Sequence, residues 1–467
     1  MSPAEEARGP VVLWFRRDLR LSDHPALARA AGQGPITALF VLDDLFVRTA
    51  GQPRLRYFMQ TLRALDGQLR AVGGALTVRA GRPEHVVPAV AKEVQARAVH
   101  ITADFAPYGS GRDQRVAKAL GAVPLIATGS PYAAAPGEIV KPDGHPYEVF
   151  TPFYRSWLAH ELELPVPLDL ASITWRPLDG LPIAADPGRE AIWPEAGEPA
   201  ARLAWELFRT TRLATYATTR DHPALDATSR LSPYLKVGAL HPRTLLADLG
   251  PDDDAFRREL AWREFYAAVL HHWPSTARSC FQPQMEAMRY DHGSAADGRF
   301  AAWAAGRTGF PLVDAGMRQL RAEGWMHNRL RMITASFLGK DLHIDWTRGA
   351  RHFMVNLIDG DLASNQHNWQ WVAGTGTDAA PYFRVFNPVS QSRKFDANGD
   401  YIRRWVPELS YLPSTEIHEP WRRAAGLPPD YPERIVEHSE ERAESLARYD
   451  ALRAHRSATR PVSAQSS

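Results

Sequence analysis

Over residues 1–130, short apolar runs alternate with amphipathic stretches, and that alternation leaves few folds open. "VVLWF" (11–15), "ITALFVL" (36–42), "ALTVR" (75–79), "AVHI" (98–101) and "AVPLIA" (122–127) read as buried strands. Between them, "RLRYFMQTLRALDGQLRAV" (54–72) and "EHVVPAVAKEV" (84–94) read as helices. Strands that alternate with helices imply a parallel, Rossmann-like sheet covered on both faces. The first strand runs into "FRRDLR" (15–20) and not into G-x-G-x-x-G, so a dinucleotide site at that turn is unsupported.

Residues 131–200 are rich in Pro, Gly and Asp and weakly periodic, which reads as a long connection over the surface. From residue 201 the pattern turns helical, as in "AFRRELAWREFYAAVLHHW" and "FPLVDAGMRQLRAEGWMHNRLRMITASFLGK". The expected organisation is an α/β domain over 1–130, a linker over 131–200, an all-α domain over 201–455 and a disordered tail over 456–467. No internal repeat is present.

Of 467 residues, 45% are hydrophobic and 23% charged, the balance of a globular chain. The formal net charge is only +2, so nucleic-acid binding would need positive charge gathered on one face. Nearly all of that charge is arginine. A genome rich in G and C explains the bias; arginine also suits bidentate phosphate contacts. Cys280 stands alone, which excludes an intrachain disulfide and fits a reducing cytoplasm. The first residues, "MSPAEEARGP", lack an apolar signal core, and no run approaches a membrane span. The expectation is a cytoplasmic protein with no membrane partner and no metal.

Four stretches carry candidate chemistry. In "TSRLSPYLKVG" (228–238), Thr228, Ser229 and Ser232 place hydroxyls where a helix starts, suited either to phosphate or to plain N-capping. In "ELAWREFY" (259–266), Glu259, Trp262 and Arg263 share one helix face. A core indole beside a solvated ion pair would look the same. In "GWMHNRLRMITASFL" (324–338), Asn328 and Met332 share a face flanked by Arg329 and Arg331, either a pocket wall near an anion or an exposed basic face. Finally, "DGDLASNQHNWQWVAGTGTDAAPYF" (359–383) sets Trp369 and Trp371 two apart, on different sides of any regular element. Asn365 lies one helical turn before Trp369.

These wordings, in this order and together with "WFRRDLRLSDHPAL" near the N-terminus, resemble the photolyase/cryptochrome family. Within it the chain is most similar to bacterial class I cyclobutane pyrimidine dimer photolyases, from about residue 11 to about residue 450. The resemblance implies an α/β antenna domain and a helical domain that holds FAD, reduced and anionic when active. It assigns Tyr216, Thr228, Ser229, Arg230, Leu231 and Ser232 to FAD. It sets Asp359, Gly360 and Asp361 along the flavin edge and pairs Arg331 with Asp359. Asn365 should face flavin N5, where an amide carbonyl accepts N5–H without adding charge. Trp262 and Trp371 should flank a flipped-out dimer, with Glu259 and Asn328 on its polar edges and Met332 beside them. Arg329, Arg384 and Gln391 should meet DNA, and Arg220 and Arg263 are further candidates.

The implied partner is UV-damaged DNA, double- or single-stranded, and the implied state a monomer. A cryptochrome photoreceptor and a (6-4) photolyase are the alternatives, disfavoured by the dimer-contact set and by "MHNRLRM". Tyr108-Gly109 replace the Asn-Glu of folate-binding relatives. Instead "ADFAPYGSGRDQRV" (103–116) and Lys236 resemble the deazaflavin-binding members, which implies an 8-hydroxy-5-deazaflavin antenna, not folate or FMN, at Asp104 and Lys236; Ala106 departs from the usual Glu. Of the family's three relay tryptophans, Trp369 and Trp346 match the inner two. The third has no counterpart, and Tyr290 is the expected terminal donor, with Asp291 or His292 taking its proton. Trp303 belongs to the packed motif "AWAAGRTGFP" (302–311).

Overall fold

The computed structural model describes residues 9–183, 194–378 and 384–459. The chain forms two compact units. The first comprises 1–217, 228–274 and 354–364; the second comprises 218–227, 275–353 and 365–467.

In the first unit, β1 (Val11–Phe15), β2 (Ile36–Leu42), β3 (Leu76–Ala80), β4 (Ala98–Ile101) and β5 (Leu125–Ala127) build one parallel sheet in the order β3-β2-β1-β4-β5. Side chains alternate across it. Val11, Leu13 and Phe15 enter one core, with Leu27 and Tyr57, while Val12 and Trp14 enter another, with Val87 and Val116. Both faces are thus covered, as a parallel sheet requires. β5 is shorter than the "AVPLIA" run because Pro124 offers no N–H; its carbonyl instead accepts from Val99 N.

"FRRDLR" follows β1 at the crevice where strand order reverses, the usual ligand edge of such sheets. Here it is filled by the protein itself. Arg16 donates to Asp113 Oδ1 at 2.8 Å, and Asp18 accepts from Thr102 Oγ1 at 2.6 Å.

The stretch 131–200 is more than a surface connection. It contains the helix Phe150–Ala159, which buries Phe150, Phe153, Tyr154 and Trp157. These residues stand at i, i+3, i+4 and i+7, a helical signature that the surrounding Pro and Gly obscured.

The second unit is helical. The long run beginning at Phe310 is not one helix: Pro311–Glu323 ends at Gly324, whose φ of +62° a side chain rarely adopts, and Asn328–Ser336 starts afresh. A π-helical turn, Phe337–Asp341, follows. The expected tail at 456–467 begins inside the helix His438–Thr459, and residues 460–467 lie outside the described residues. No described helix is long and apolar enough to cross a membrane.

His327 caps Asn328–Ser336, its Nδ1 accepting from Arg329 N at 3.1 Å. Burial holds its imidazole down to about 4 from an ordinary 6.5, and Arg329 pushes the same way. Between these values the unfolded chain binds a proton that the folded chain refuses, so stability falls as pH drops from 6.5 toward 4. The expected loss is on the order of 3 kcal/mol. Denaturant titrations at pH 7 and pH 4.5 on wild type and His327→Asn measure it; an equal pH slope in both proteins would acquit His327.

Candidate functional site

The loop and helix at 228–237 carry the first candidate residues. None of their hydroxyls caps the helix Ser232–Val237, which has no side-chain cap. Ser232 Oγ donates to Asp359 Oδ2 at 2.6 Å, and Ser229 Oγ accepts weakly from Leu231 N at 3.4 Å. Thr228 Oγ1 is buried with no hydrogen-bond partner among the described residues. Arg230 holds φ at +50°, unusual for a side chain. The plain N-cap reading of these hydroxyls therefore fails. Tyr216 sits nearby in sequence, buried edge-on against Phe208 and Phe256 at 5.7 and 5.4 Å.

Asp361 accepts from Arg17 at 2.8 Å, from Lys236 at 3.2 Å and from Ser364 N at 3.1 Å. Burial alone would raise its carboxyl; Lys236, Arg17 and Arg263 hold it far below the usual range. Lys236 is lowered to about 8, chiefly by burial and then by Arg17. Asp104 pairs with Arg112 at 3.3 Å. Both expected antenna contacts are therefore engaged within the unit. The cavity beside them, lined by Arg17, Phe105, Tyr132 and Asp361 among others, has about 10 Å³, below a tricyclic chromophore.

Trp262 lies on the helix Asp254–His272, half-buried. One face is covered by Phe150, stacked at 3.7 Å and 8°. Sequence reasoning missed Phe150 because it lies in the assumed linker. Glu264, on the same helix, fastens that segment: it accepts from Trp157 Nε1 at 2.6 Å, Ala133 N at 2.5 Å and Ala134 N at 3.1 Å. Arg263 donates to Pro131 O and Leu235 O and lies over the Tyr132 ring, so it braces the fold. Glu259 is half-buried one turn before Trp262.

In the second unit, Asn328 is exposed at its helix start, and Arg331 Nε donates to Met326 O at 2.8 Å. Arg329 pairs with Asp221 at 2.7 Å, touches Met332 Sδ at 3.9 Å and lies over Phe395. Arg384 is exposed, and Gln391 lies on the helix Pro388–Phe395. The helix Leu362–Ala373 buries Trp369 and leaves Trp371 half-exposed. The expectation that they serve different surfaces holds. Residues 379–383 of that motif lie outside the described residues.

Asn365 is 8% exposed; its Nδ2 donates to Ala350 O at 3.1 Å and Gln366 Oε1 at 2.8 Å. Both amide hydrogens are spent. Among the described residues, Oδ1 is left as an unused acceptor.

Trp369 packs against Phe353 at 5.0 Å and Trp303 at 6.3 Å. With Trp346 and Tyr290 it lines a cavity of about 20 Å³, room for one water. Asp291 is not a free base: Arg299 and Arg448 hold it at 2.6 and 2.7 Å. Burial would raise its carboxyl, but these cations hold it below the usual range. A Cβ on Gly349 would overlap the Trp369 ring. Gly349→Ala is expected to destabilise by roughly 1–3 kcal/mol and to shift Trp369. Unchanged melting and near-UV circular dichroism would contradict that contact.

Trp369, Trp346 and Tyr290 thus line one water-sized cavity within the second unit. The DNA photolyase family pattern matches residues 11–169, and that of the FAD binding domain of DNA photolyase matches 256–451. The deoxyribodipyrimidine photo-lyase of Halobacterium salinarum is 40% identical, covering 95% of this chain and 99% of its own. A bacterial class III photolyase from Agrobacterium tumefaciens superposes with a TM-score of 0.88 at 34% identity, over 96% of this chain and 98% of its own. An archaeal photolyase from Sulfolobus tokodaii with two FAD molecules gives a TM-score of 0.85 at 29% identity, over 95% and 100%. The chain belongs to the photolyase/cryptochrome family.

Proposed function

We propose that this chain repairs cyclobutane pyrimidine dimers in UV-damaged DNA, driven by light and by reduced FAD. FAD, when bound, supplies the electron that opens the dimer and takes it back. Everything else falls to the chain.

The observation that carries this reading is Asn365. With Nδ2 spent on Ala350 O and Gln366 Oε1, its orientation is fixed and only a neutral acceptor remains for flavin N5–H. A carboxylate there would oppose a reduced, anionic flavin. Thr228 Oγ1, buried without a partner among the described residues, suits a cofactor phosphate, alongside Tyr216, Ser229 to Ser232, Arg331 and Asp359 to Asp361. A dimer inside a duplex cannot reach a buried flavin and must flip out, as photolyase substrates do. Trp262, backed by Phe150, offers its other face to the dimer, and Trp371 is the second indole of this reading. Glu259 and Asn328 hold the pyrimidine edges, Met332 packs beside them, and Arg329, Arg384 and Gln391 serve the DNA backbone.

Tyr290 is the terminal donor that restores the reduced flavin through Trp346 and Trp369. Residues 1–130 form the antenna domain, 201–455 the FAD domain, and the working unit is a monomer. For the antenna, 8-hydroxy-5-deazaflavin remains favoured by sequence, yet it requires the Asp104–Arg112 and Lys236–Asp361 pairs to open. Reconstitution with each chromophore, read by energy transfer to FAD, decides among them.

Irradiation of the holoprotein with dimer-containing and with (6-4)-containing oligonucleotides tests the function. Loss of the dimer alone is expected. Repair of the (6-4) product, or of neither lesion, would overturn the reading.

A further inference from the structure

Tyr290 cannot give up an electron at neutral pH without also losing its phenolic proton, because an oxidised phenol is a far stronger acid than the phenol itself. The nearest residue in sequence, Asp291, is sealed by two arginines. His343, which lines the same cavity, gives Nε2 to Glu441 at 2.7 Å. Glu286 receives Cys280 N at 2.5 Å.

One carboxylate beside Tyr290 carries no ion pair among the described residues. Asp291 N donates to His343 O at 2.8 Å, which lays the chain after Tyr290 alongside the chain leading to Asp345. Asp345 is half-buried, stands directly before Trp346 and uses Oδ1 to accept from Thr347 N at 2.8 Å. Among the described residues its second oxygen accepts no hydrogen bond. Burial and then the Asp345 charge push the Tyr290 phenol far above its ordinary 10. On the other side, the Trp346 indole N–H faces the Cys280 thiol. Burial and then Glu286 push that thiol up to about 11, so it stays protonated. A thiol is a poor base, so oxidised Trp346 keeps its own proton and its full oxidising power.

We propose that the Asp345 carboxylate accepts the phenolic proton of Tyr290 as that residue returns an electron to oxidised Trp346. The step balances: the Trp346 radical cation gains one electron and becomes neutral indole, Tyr290 loses one electron and one proton and becomes a neutral phenoxyl radical, and Asp345 becomes a carboxylic acid. Bound FAD, when oxidised and excited by light, would supply the original oxidising equivalent through Trp369. The proposal rests on the reading of Tyr290 as terminal donor.

The test is laser-flash transient absorption of the holoprotein, following the tryptophan and tyrosine radical bands. In Asp345→Asn, which keeps the helix cap because Asn caps as well as Asp, the tryptophan-to-tyrosine step is expected to slow at least tenfold. It should also become proportional to the concentration of added acetate, while Asp345→Glu stays fast. A lost carboxyl that mattered only for structure would not be replaced by acetate. Wild-type speed without acetate dependence in Asp345→Asn, with the tyrosine band still abolished by Tyr290→Phe, would overturn the proposal and spare the terminal donor. A tyrosine band that survives Tyr290→Phe would overturn both.

Discussion

Glu264→Ala is expected to lose roughly 3 kcal/mol or more of stability and to weaken binding of dimer-containing DNA. The estimate follows from three donors, Trp157 Nε1, Ala133 N and Ala134 N, that would each lose a buried acceptor at about 1–3 kcal/mol. The effect on DNA follows from position. Glu264 fastens the segment that carries Phe150 to the helix that carries Trp262, and Phe150 covers one face of that indole. Loosening the segment frees the Trp262 ring to leave the plane in which a flipped pyrimidine would meet it. Glu264→Gln keeps one acceptor but turns an NH₂ group toward the remaining donors, so it should recover only part of the loss. Denaturant unfolding and titration of a dimer oligonucleotide measure the two effects. Wild-type stability in Glu264→Ala would mean that the orphaned donors find other acceptors. Reduced stability with unchanged DNA affinity would detach Phe150 from recognition.

The parallel sheet was legible because a strand buried on both faces is written as a mainly apolar run: β1 is unbroken, and β2 to β4 are interrupted only by Thr37, by Thr77 and Arg79, and by His100. Trp369 and Trp371 were separable because two residues apart on a helix cannot share a face. What escaped was anything decided by partners distant in sequence. Glu264 reads as one more charge in "ELAWREFY", and only the fold shows three donors converging on it. Arg263, grouped with Glu259 and Trp262 by helical spacing, turns out to brace Pro131 and Leu235. Asp291 looked like a base because it follows Tyr290, but Arg299 and Arg448 arrive from other helices and occupy it. Periodicity reports the face of an element, whereas the competition for a carboxylate is settled across the whole unit. The helix Phe150–Ala159 is a different case: its i, i+3, i+4, i+7 aromatics were visible, and the surrounding Pro and Gly outweighed them.

The same competition makes Asn365→Asp informative. In the wild type, Nδ2 faces the carbonyl of Ala350 and the Oε1 of Gln366, two acceptors. A carboxylate in that place would oppose them with no hydrogen between, at a position only 8% exposed. The introduced carboxyl is therefore expected to hold a proton well above the ordinary carboxylate range. In the window between its unfolded and its raised folded value, the folded chain binds the proton and the unfolded chain does not, so stability falls as pH rises. This is opposite in sign to the His327 effect. Below the window the protonated acid can donate to one acceptor, and the variant should approach wild type. Above it a buried, unpaired charge costs roughly 3–5 kcal/mol. The quantity to measure is the difference in unfolding free energy between Asn365→Asp and wild type at pH 5 and pH 8, which cancels the His327 contribution common to both. Asn365→Ala, which loses the hydrogen bonds without adding a titratable group, should differ from wild type equally at both values. If the aspartate variant shows the same flat difference, the amide is not bound as described. The visible spectrum of the flavin-loaded variant under light and reductant would then stay that of the wild type, instead of shifting with the protonation of its new neighbour.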